Sequence, residues 1–335
     1  MRLGAHLRFL ALGLMLVMGA AVSAPASAQQ VNPTASAVKE QQFLDALKGN
    51  SSAELQGRIT IPDGKAATLE RPAGREWRAF HQGTMFKTGA IAVLGTLLLL
   101  AAFYLVRGRI KIEAGPSGRT ITRFNGFERF THWLTATCFI ILALSGLNVT
   151  FGKAVLLPLV GPQAFTNLSI IAKWSHNYLA WPFMAGIVLM FLIWIKDNIP
   201  SGTDLQWFAQ GGGLIGKGHP PAKRFNGGQK VIFWSVVLGG AALSVSGFYL
   251  LFPAIAGGVL NLQFWNSVHG IVSVLMVAII LAHIYIGSLG MEGAFDAMGS
   301  GEVDLNWARE HHSLWVEDEL RKGGVHKDPA LQPAE

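Results

Sequence analysis

Five apolar runs alternate with polar connections along the chain: Gly89 to Val106, Trp133 to Phe151, Tyr178 to Ile195, Val231 to Phe252 and Val268 to Ile286. At about 1.5 Å rise per residue each run, with some tilt, crosses a hydrocarbon core of about 30 Å as a helix. The connections differ in charge. The stretch between the first two runs carries Arg107, Arg109, Lys111, Arg119, Arg123 and Arg129 against Glu113 and Glu128. Lys217, Lys223, Arg224 and Lys230 precede or open the fourth run. The connection from Gly152 to Asn177 has only Lys153 and Lys173, and that from Pro253 to Ser267 has no charge. The positive-inside rule therefore places the two basic connections and the C-terminus in the cytoplasm and the N-terminal arm outside.

The N-terminus has Arg2 and Arg8, an apolar stretch from Phe9 to about Val22, and Ala26-Ser27-Ala28 before Gln29. This order matches a secretory signal cleaved after Ala28, with an uncleaved anchor as the alternative. The predicted organisation is a signal over 1–28, a periplasmic arm over 29–87, an extra transmembrane helix over 88–106, a core over 107–290 and a cytoplasmic tail over 291–335.

Composition agrees with a membrane protein. Hydrophobic residues make up 51% and charged residues 14% of the chain, and mean hydropathy is positive, a balance rare in soluble domains. The predicted fold class is an all-α integral membrane bundle of five spans, four in the core and one added at the N-terminus. The net charge of +7 is explained by topology, which argues against a nucleic-acid partner. Cys138 is the single cysteine. No disulfide framework, iron–sulfur ligand set or C-x-x-C-H haem attachment motif exists, so a cluster must belong to a partner chain and a haem must be held by ligation and packing.

Two histidines in the last run, His269 and His283, are fourteen residues apart. That interval is about 21 Å along a helix and close to four whole turns, so both rings leave one face, one near each side of the membrane. His132 begins its helix on the cytoplasmic side and His176 on the outer side. The depths form two pairs: His132 with His283 inside, and His176 with His269 outside. Two neutral nitrogen donors per site suit a six-coordinate haem iron, whereas zinc would want three or four protein ligands. Gly146, Gly186, Gly270 and Ala282 leave room for a macrocycle or serve helix packing. Bonding each ring to iron would remove the cost of an unsatisfied polar group in lipid. A histidine-based proton transporter and a haem-free membrane anchor are the rival classes. The spans contain no Asp, Glu, Lys or Arg of the kind relays recruit.

"RFNGFERFTHW" from Arg123 recurs as "RFNGGQKVIFW" from Arg224, with Phe233 in the place of His132, so two helix pairs share a pattern. Together with His132-Trp133, Ser175-His176, the His269/His283 helix and "NWAREHHSLW", the chain resembles the gamma subunit of membrane-bound respiratory formate dehydrogenase, a di-haem cytochrome b. The likeness runs from about Arg123 to Val316, and Arg71 to Val106 is similar to a longer subgroup. Cytochromes b of nickel–iron hydrogenases share the general plan.

The resemblance implies two haems b, on His176 with His269 and on His132 with His283. It implies a quinone site beside the inner haem, lined by Asn226, Gly227, Gly228 and Gln229 with His283 close by. It also implies an iron–sulfur (beta) partner, a catalytic (alpha) partner and a place in the bacterial inner membrane. Electrons would pass from the cluster through both haems to quinone, with formate oxidised elsewhere, since this chain has no molybdenum- or tungsten-binding motif. Asn-Gly-Gly alone reads as a turn. The Gly-rich stretch at Gly211 lacks a preceding strand and reads as a flexible connection. His311 and His312 are expected to be solvated or to contact a partner, and His81 and His219 to lie in loops. Trp133, Trp181, Trp194 and Trp234 are expected as interfacial anchors.

Overall fold

The computed structural model of the 335-residue chain describes residues 44–45, 48–49, 72–213 and 218–322. The signal expected over 1–28 and most of the arm expected over 29–87 lie outside them. The first helical rod is α1 (Pro72–Ala79), a π-helical stretch over Phe80–Met85, and α2 (Phe86–Arg107). Gly108, at φ 68°, ends it in a backbone conformation that favours glycine.

Helix α3 (Gly126–Trp194) starts at a capping box, in which Asn125 and Glu128 each bond the other's backbone N–H. Its 69 residues do not form a straight rod. Gly161, at φ 80° and ψ 167°, is the one non-helical residue inside it, in a region open essentially to glycine. The prolines on either side, Pro158 and Pro162, also disfavour continuous helical hydrogen bonding. The chain doubles back here. Contacts step inward from both ends of the hairpin: Trp194 donates to Glu128 at 2.8 Å, Gly186 faces Thr135, and Asn148 donates to Ser169 at 3.1 Å. The expected loop from Gly152 to Asn177 is therefore helical on both sides of Gly161. The second and third apolar runs lie on the two arms of this one element, and among the described residues four helices are long and apolar enough to cross a membrane: Gly74–Arg107, Gly126–Trp194, Gly227–Leu251 and Val259–Gly290.

A short helix, α4 (Gly202–Ala209), precedes α5 (Gly227–Leu251) and α6 (Val259–Tyr285), which continues into a π-helical turn over Ile286–Gly290. Asn226 and Gln229 repeat the capping box at the start of α5. The recurring "RFNG" sequence is thus a helix-start device used twice. Helix α5 packs between α3 and α6, and α2 packs on α6. Small residues allow the close approaches: a β-carbon on Gly240 would lie 2.6 Å from Ile187 Cδ1, and one on Gly239 would strike Met276.

At the end carrying the basic connections, strand β1 (Thr120–Thr122) pairs antiparallel with β2 (Glu302–Asp304), with Ile121 opposite Val303. Three short helices surround β2: α7 (Asp296–Gly299), α8 (Leu305–His311) and α9 (Ser313–Arg321). Their apolar residues Val303, Leu305, Trp307, Trp315 and Val316 join Phe124, Trp194 and Phe225 in one core. The tail is a folded cap on the bundle. His312, expected to be solvated or partner-facing, is fully buried. Trp194, expected as an interfacial anchor, is also inside, its indole spent on Glu128.

Beside this cap, the buried Lys230 ammonium lies 2.8 Å from Asp204 Oδ2, which also accepts from the backbone and hydroxyl of Ser201. Burial alone would raise the Asp204 carboxyl, but the bonds from Lys230 and Ser201 outweigh it and hold the group below its ordinary value. Its contribution to stability is present above the usual carboxyl range near ~3.9 and is lost as pH falls through the lowered value. Asp204→Asn leaves the buried ammonium unpaired and should cost about 3–5 kcal/mol, read as a lower thermal midpoint at neutral pH in detergent.

Candidate functional site

His132 sits in the second turn of α3, His176 on its returning arm, and His269 and His283 on α6. The reversal at Gly161 puts the first two at different heights beside α6. His132 meets His283 with ring centroids 6.2 Å apart and planes at 62°. His176 meets His269 at 6.2 Å and 61°. Two pairs built from different sequence intervals have nearly the same separation and tilt. Two metal–imidazole bonds of about 2 Å each, plus the distance from each nitrogen to its own ring centre, fill such a gap. The donor set fits a metal that supplies its other ligands itself, as haem does. Among the described residues no group of three or more His, Cys, Asp or Glu is placed to hold a bare metal ion.

The surroundings of the two pairs differ. Ser145 Oγ lies 2.7 Å from His176 Nδ1, and Ser246 Oγ lies 2.9 Å from His269 Nδ1. His132 Nδ1 is buried without a hydrogen-bond partner. Neither serine was a candidate from sequence, yet a signal exists: the 101-residue offset that relates Arg123 to Arg224 also relates Ser145-Gly146 to Ser246-Gly247. Glycine follows each serine at a ring edge. A β-carbon on Gly247 would lie 3.3 Å from His269 Cε1, and one on Gly146 3.9 Å from His176 Cε1. Gly186 and Gly270, expected near a macrocycle, face protein neighbours: Gly186 is pressed against Thr135 and Gly270 against Met85.

The stretch from Asn226 to Gln229 is occupied in the fold. Both amide oxygens serve the capping box, and β-carbons on Gly227 and Gly228 would lie 2.8 Å from Phe208 and 2.9 Å from Trp207. Gly212, at φ 64°, rests against the same indole. Next to this stretch, Arg123 Nη2 donates to Arg224 O at 2.6 Å and lies 3.0 Å from His312 Nε2. The guanidinium is 5.0 to 5.5 Å from the rings of Phe124, Trp307 and Trp315, within cation–π range. Burial first, and Arg224 next, lower the Arg123 pKa to about 9 although Glu128 opposes them. Of the remaining histidines, His219 lies 3.1 Å from Glu113 and His81 stacks on Trp77.

The prokaryotic cytochrome b561 family matches residues 123–301, more than half of the chain and all four paired histidines, so the chain belongs to this family of membrane cytochromes b. Haem b is the cofactor that membership implies, and the long apolar helices make the chain a multi-pass membrane protein. Among its relatives, the formate dehydrogenase cytochrome b556(fdo) subunit of Escherichia coli K12 is 31% identical over 208 residues, covering 61% of this chain and 94% of that protein. The nitrate-inducible formate dehydrogenase cytochrome b556(Fdn) subunit of the same organism is 26% identical, covering 63% and 96%. The formate dehydrogenase cytochrome b556 subunit of Haemophilus influenzae is 29% identical, covering 63% and 87%.

The His312 ring is held neutral. Nδ1 lies 2.8 Å from Lys223 O, a carbonyl that can only accept, so Nδ1–H donates there and Nε2 accepts from Arg123. Burial, then Arg123, lower its pKa well below the ordinary 6.5. Burial, then His219 and Arg123, lower that of His311 to about 4. Both groups take up protons more readily when unfolded, so their stabilisation is whole above about 6.5 and declines as pH falls below it. The thermal midpoint should drop between about pH 7 and pH 5. His312→Gln should lower the midpoint at neutral pH and flatten that acid slope.

Proposed function

We propose that this chain is the membrane cytochrome b subunit of a formate dehydrogenase complex, taking electrons from an iron–sulfur partner on the outer side and delivering them to membrane quinone at the basic, cytoplasmic end. The observation that carries this reading is the pair of histidine tiers with a common 6.2 Å ring separation, in a chain whose relatives are named as formate dehydrogenase cytochrome b subunits. His176 with His269 would hold the outer haem and His132 with His283 the inner one. Bound haem b supplies a one-electron carrier at each tier.

The chain's own residues have separable tasks under this reading. Helix α6 spaces the tiers by about 21 Å, and the α3 hairpin brings a second imidazole to each. Counting both arms of α3, the chain crosses the membrane five times, with the arm over 29–87 periplasmic after signal cleavage, the 88–106 helix added to a 107–290 core, and the tail from 291 cytoplasmic. Positive-inside asymmetry supports that orientation. Asn226 and Gln229 spend their oxygens on the helix cap, so their NH2 groups are the donors left for a quinone carbonyl, beside Gly228 and the Trp207 ring. A site at this end would draw the protons for quinone reduction from the cytoplasm. Formate oxidation and the clusters belong to catalytic and iron–sulfur partners, since the one cysteine here, Cys138, is buried within α3.

The purified complex, reduced with dithionite, should show sharp b-type bands and two haems per copy of this chain. His283→Leu should remove the inner haem and quinone reduction while leaving the outer haem reducible by formate. A wild-type chain without haem, or a His283→Leu chain that loses both haems or neither, would overturn the assignment.

A further inference from the structure

On the haem reading above, the two tiers differ in what holds their rings. Each outer histidine bonds a serine that is itself bonded to its own helix. Ser145 Oγ lies 2.8 Å from Ile141 O and 2.9 Å from Leu142 O as well as near His176 Nδ1. Ser246 Oγ lies 2.7 Å from Ala242 O and 3.2 Å from Leu243 O as well as near His269 Nδ1. A serine hydroxyl has one proton, and a carbonyl oxygen can only accept. With that proton committed to the helix carbonyl, the bond to the ring is made by Nδ1–H donating to Oγ. The opposite tautomer would turn each hydroxyl proton from the helix carbonyl to the ring, giving up the 2.8 Å bond to Ile141 O and the 2.7 Å bond to Ala242 O. Both outer rings therefore carry the proton on Nδ1 and turn an Nε2 lone pair toward each other's side of the gap.

The inner pair has no such support. His132 Nδ1 is buried and unpartnered, and no hydrogen bond to the His283 ring occurs among the described residues. The difference follows from the repeat. Ser145-Gly146 and Ser246-Gly247 are copies of one dipeptide at one offset, whereas the copy of His132 is Phe233. The duplicated scaffold makes a symmetric outer tier and an asymmetric inner one.

We infer that Ser145 and Ser246 are positioning residues that fix the tautomer and ring orientation of the outer ligands and make those imidazoles the stronger electron donors of the two tiers. A hydrogen bond accepted from the non-ligating N–H raises ligand basicity, and a more basic ligand favours the ferric over the ferrous state, so the outer haem has the lower reduction potential. Transfer of an electron from the outer to the inner tier is then downhill before any partner or quinone acts.

The test is a potentiometric titration of the intact complex, followed by haem absorbance and by electron paramagnetic resonance of the oxidised state. In Ser145→Ala and Ser246→Ala, the ratio of ferric to ferrous outer haem at a fixed ambient potential should fall by up to about tenfold, equivalent to about 59 mV for a one-electron couple. The inner haem should stay unchanged. The low-spin signal of the outer centre should shift with it, and Ser246→Thr, which keeps the hydroxyl, should restore both readings. If an alanine variant loses the outer haem, Ser→Cys at the same position offers a weaker acceptor and must still raise the outer potential. An unchanged outer potential with both haems bound, or a shift confined to the inner haem, overturns the inference while leaving the two-haem assignment standing. A wild-type complex lacking two haems fails the assignment itself.

Discussion

The spacing of His269 and His283 on one helix governs the rest of the structure. A rigid helix fixes both the distance between the two rings and the face they share, so every other element has to bring a partner to a prescribed height. The α3 hairpin does this with a single reversal. If its two arms were joined at another residue, His132 and His176 would move along α6 together in opposite senses, and both pairs would be lost at once. Gly161 therefore has an effect far from its own position, because it sets the register of the hairpin.

The duplicated sequence provides the frame on which this register is built. Asn125 with Glu128 and Asn226 with Gln229 start two helices in the same way, and the two arginines that precede these caps cross over, each donating to the other's backbone carbonyl. Arg224 also bridges Glu128 and Asp197 at 2.6 and 2.9 Å. The charge at this end is consequently structural as well as topological. Basic side chains that a topology rule counts as loop residues tie the starts of two helices together. Aromatic residues from the tail then cover the junction.

Much of this was legible from the chain alone. Apolar runs and helix periodicity located the spanning segments and the shared face of α6, and charge asymmetry separated the two ends. The depth argument paired His132 with His283 and His176 with His269, and these rings do lie together. What periodicity could not show was how far helix continues beyond an apolar run. Residues 152 to 177 looked like a loop because their composition is mixed, yet only Gly161 departs from helix. His311 and His312 are expected to be solvated or partner-facing because charged residues are spread through the tail, while its apolar residues Val303, Leu305, Trp307, Trp315 and Val316, with His312, are the ones turned inward. Ser145 and Ser246 were overlooked because a serine within an apolar helix is usually accounted for by its own i−4 carbonyl. Only the spatial neighbour reveals that the same oxygen has a second use.

Met85 sits over Gly270, and Gly89 touches both Phe151 and Val274, so the first long helix closes a notch beside His269. The matched family segment begins only at residue 123, well after this helix. An element outside the shared family region has become part of the wall around the outer tier. Shortening the chain to the family segment would bare the strip of α6 around Gly270 and Val274, and lipid would then lie where the Met85 thioether and the backbone at Gly89 now keep the histidine's helix covered.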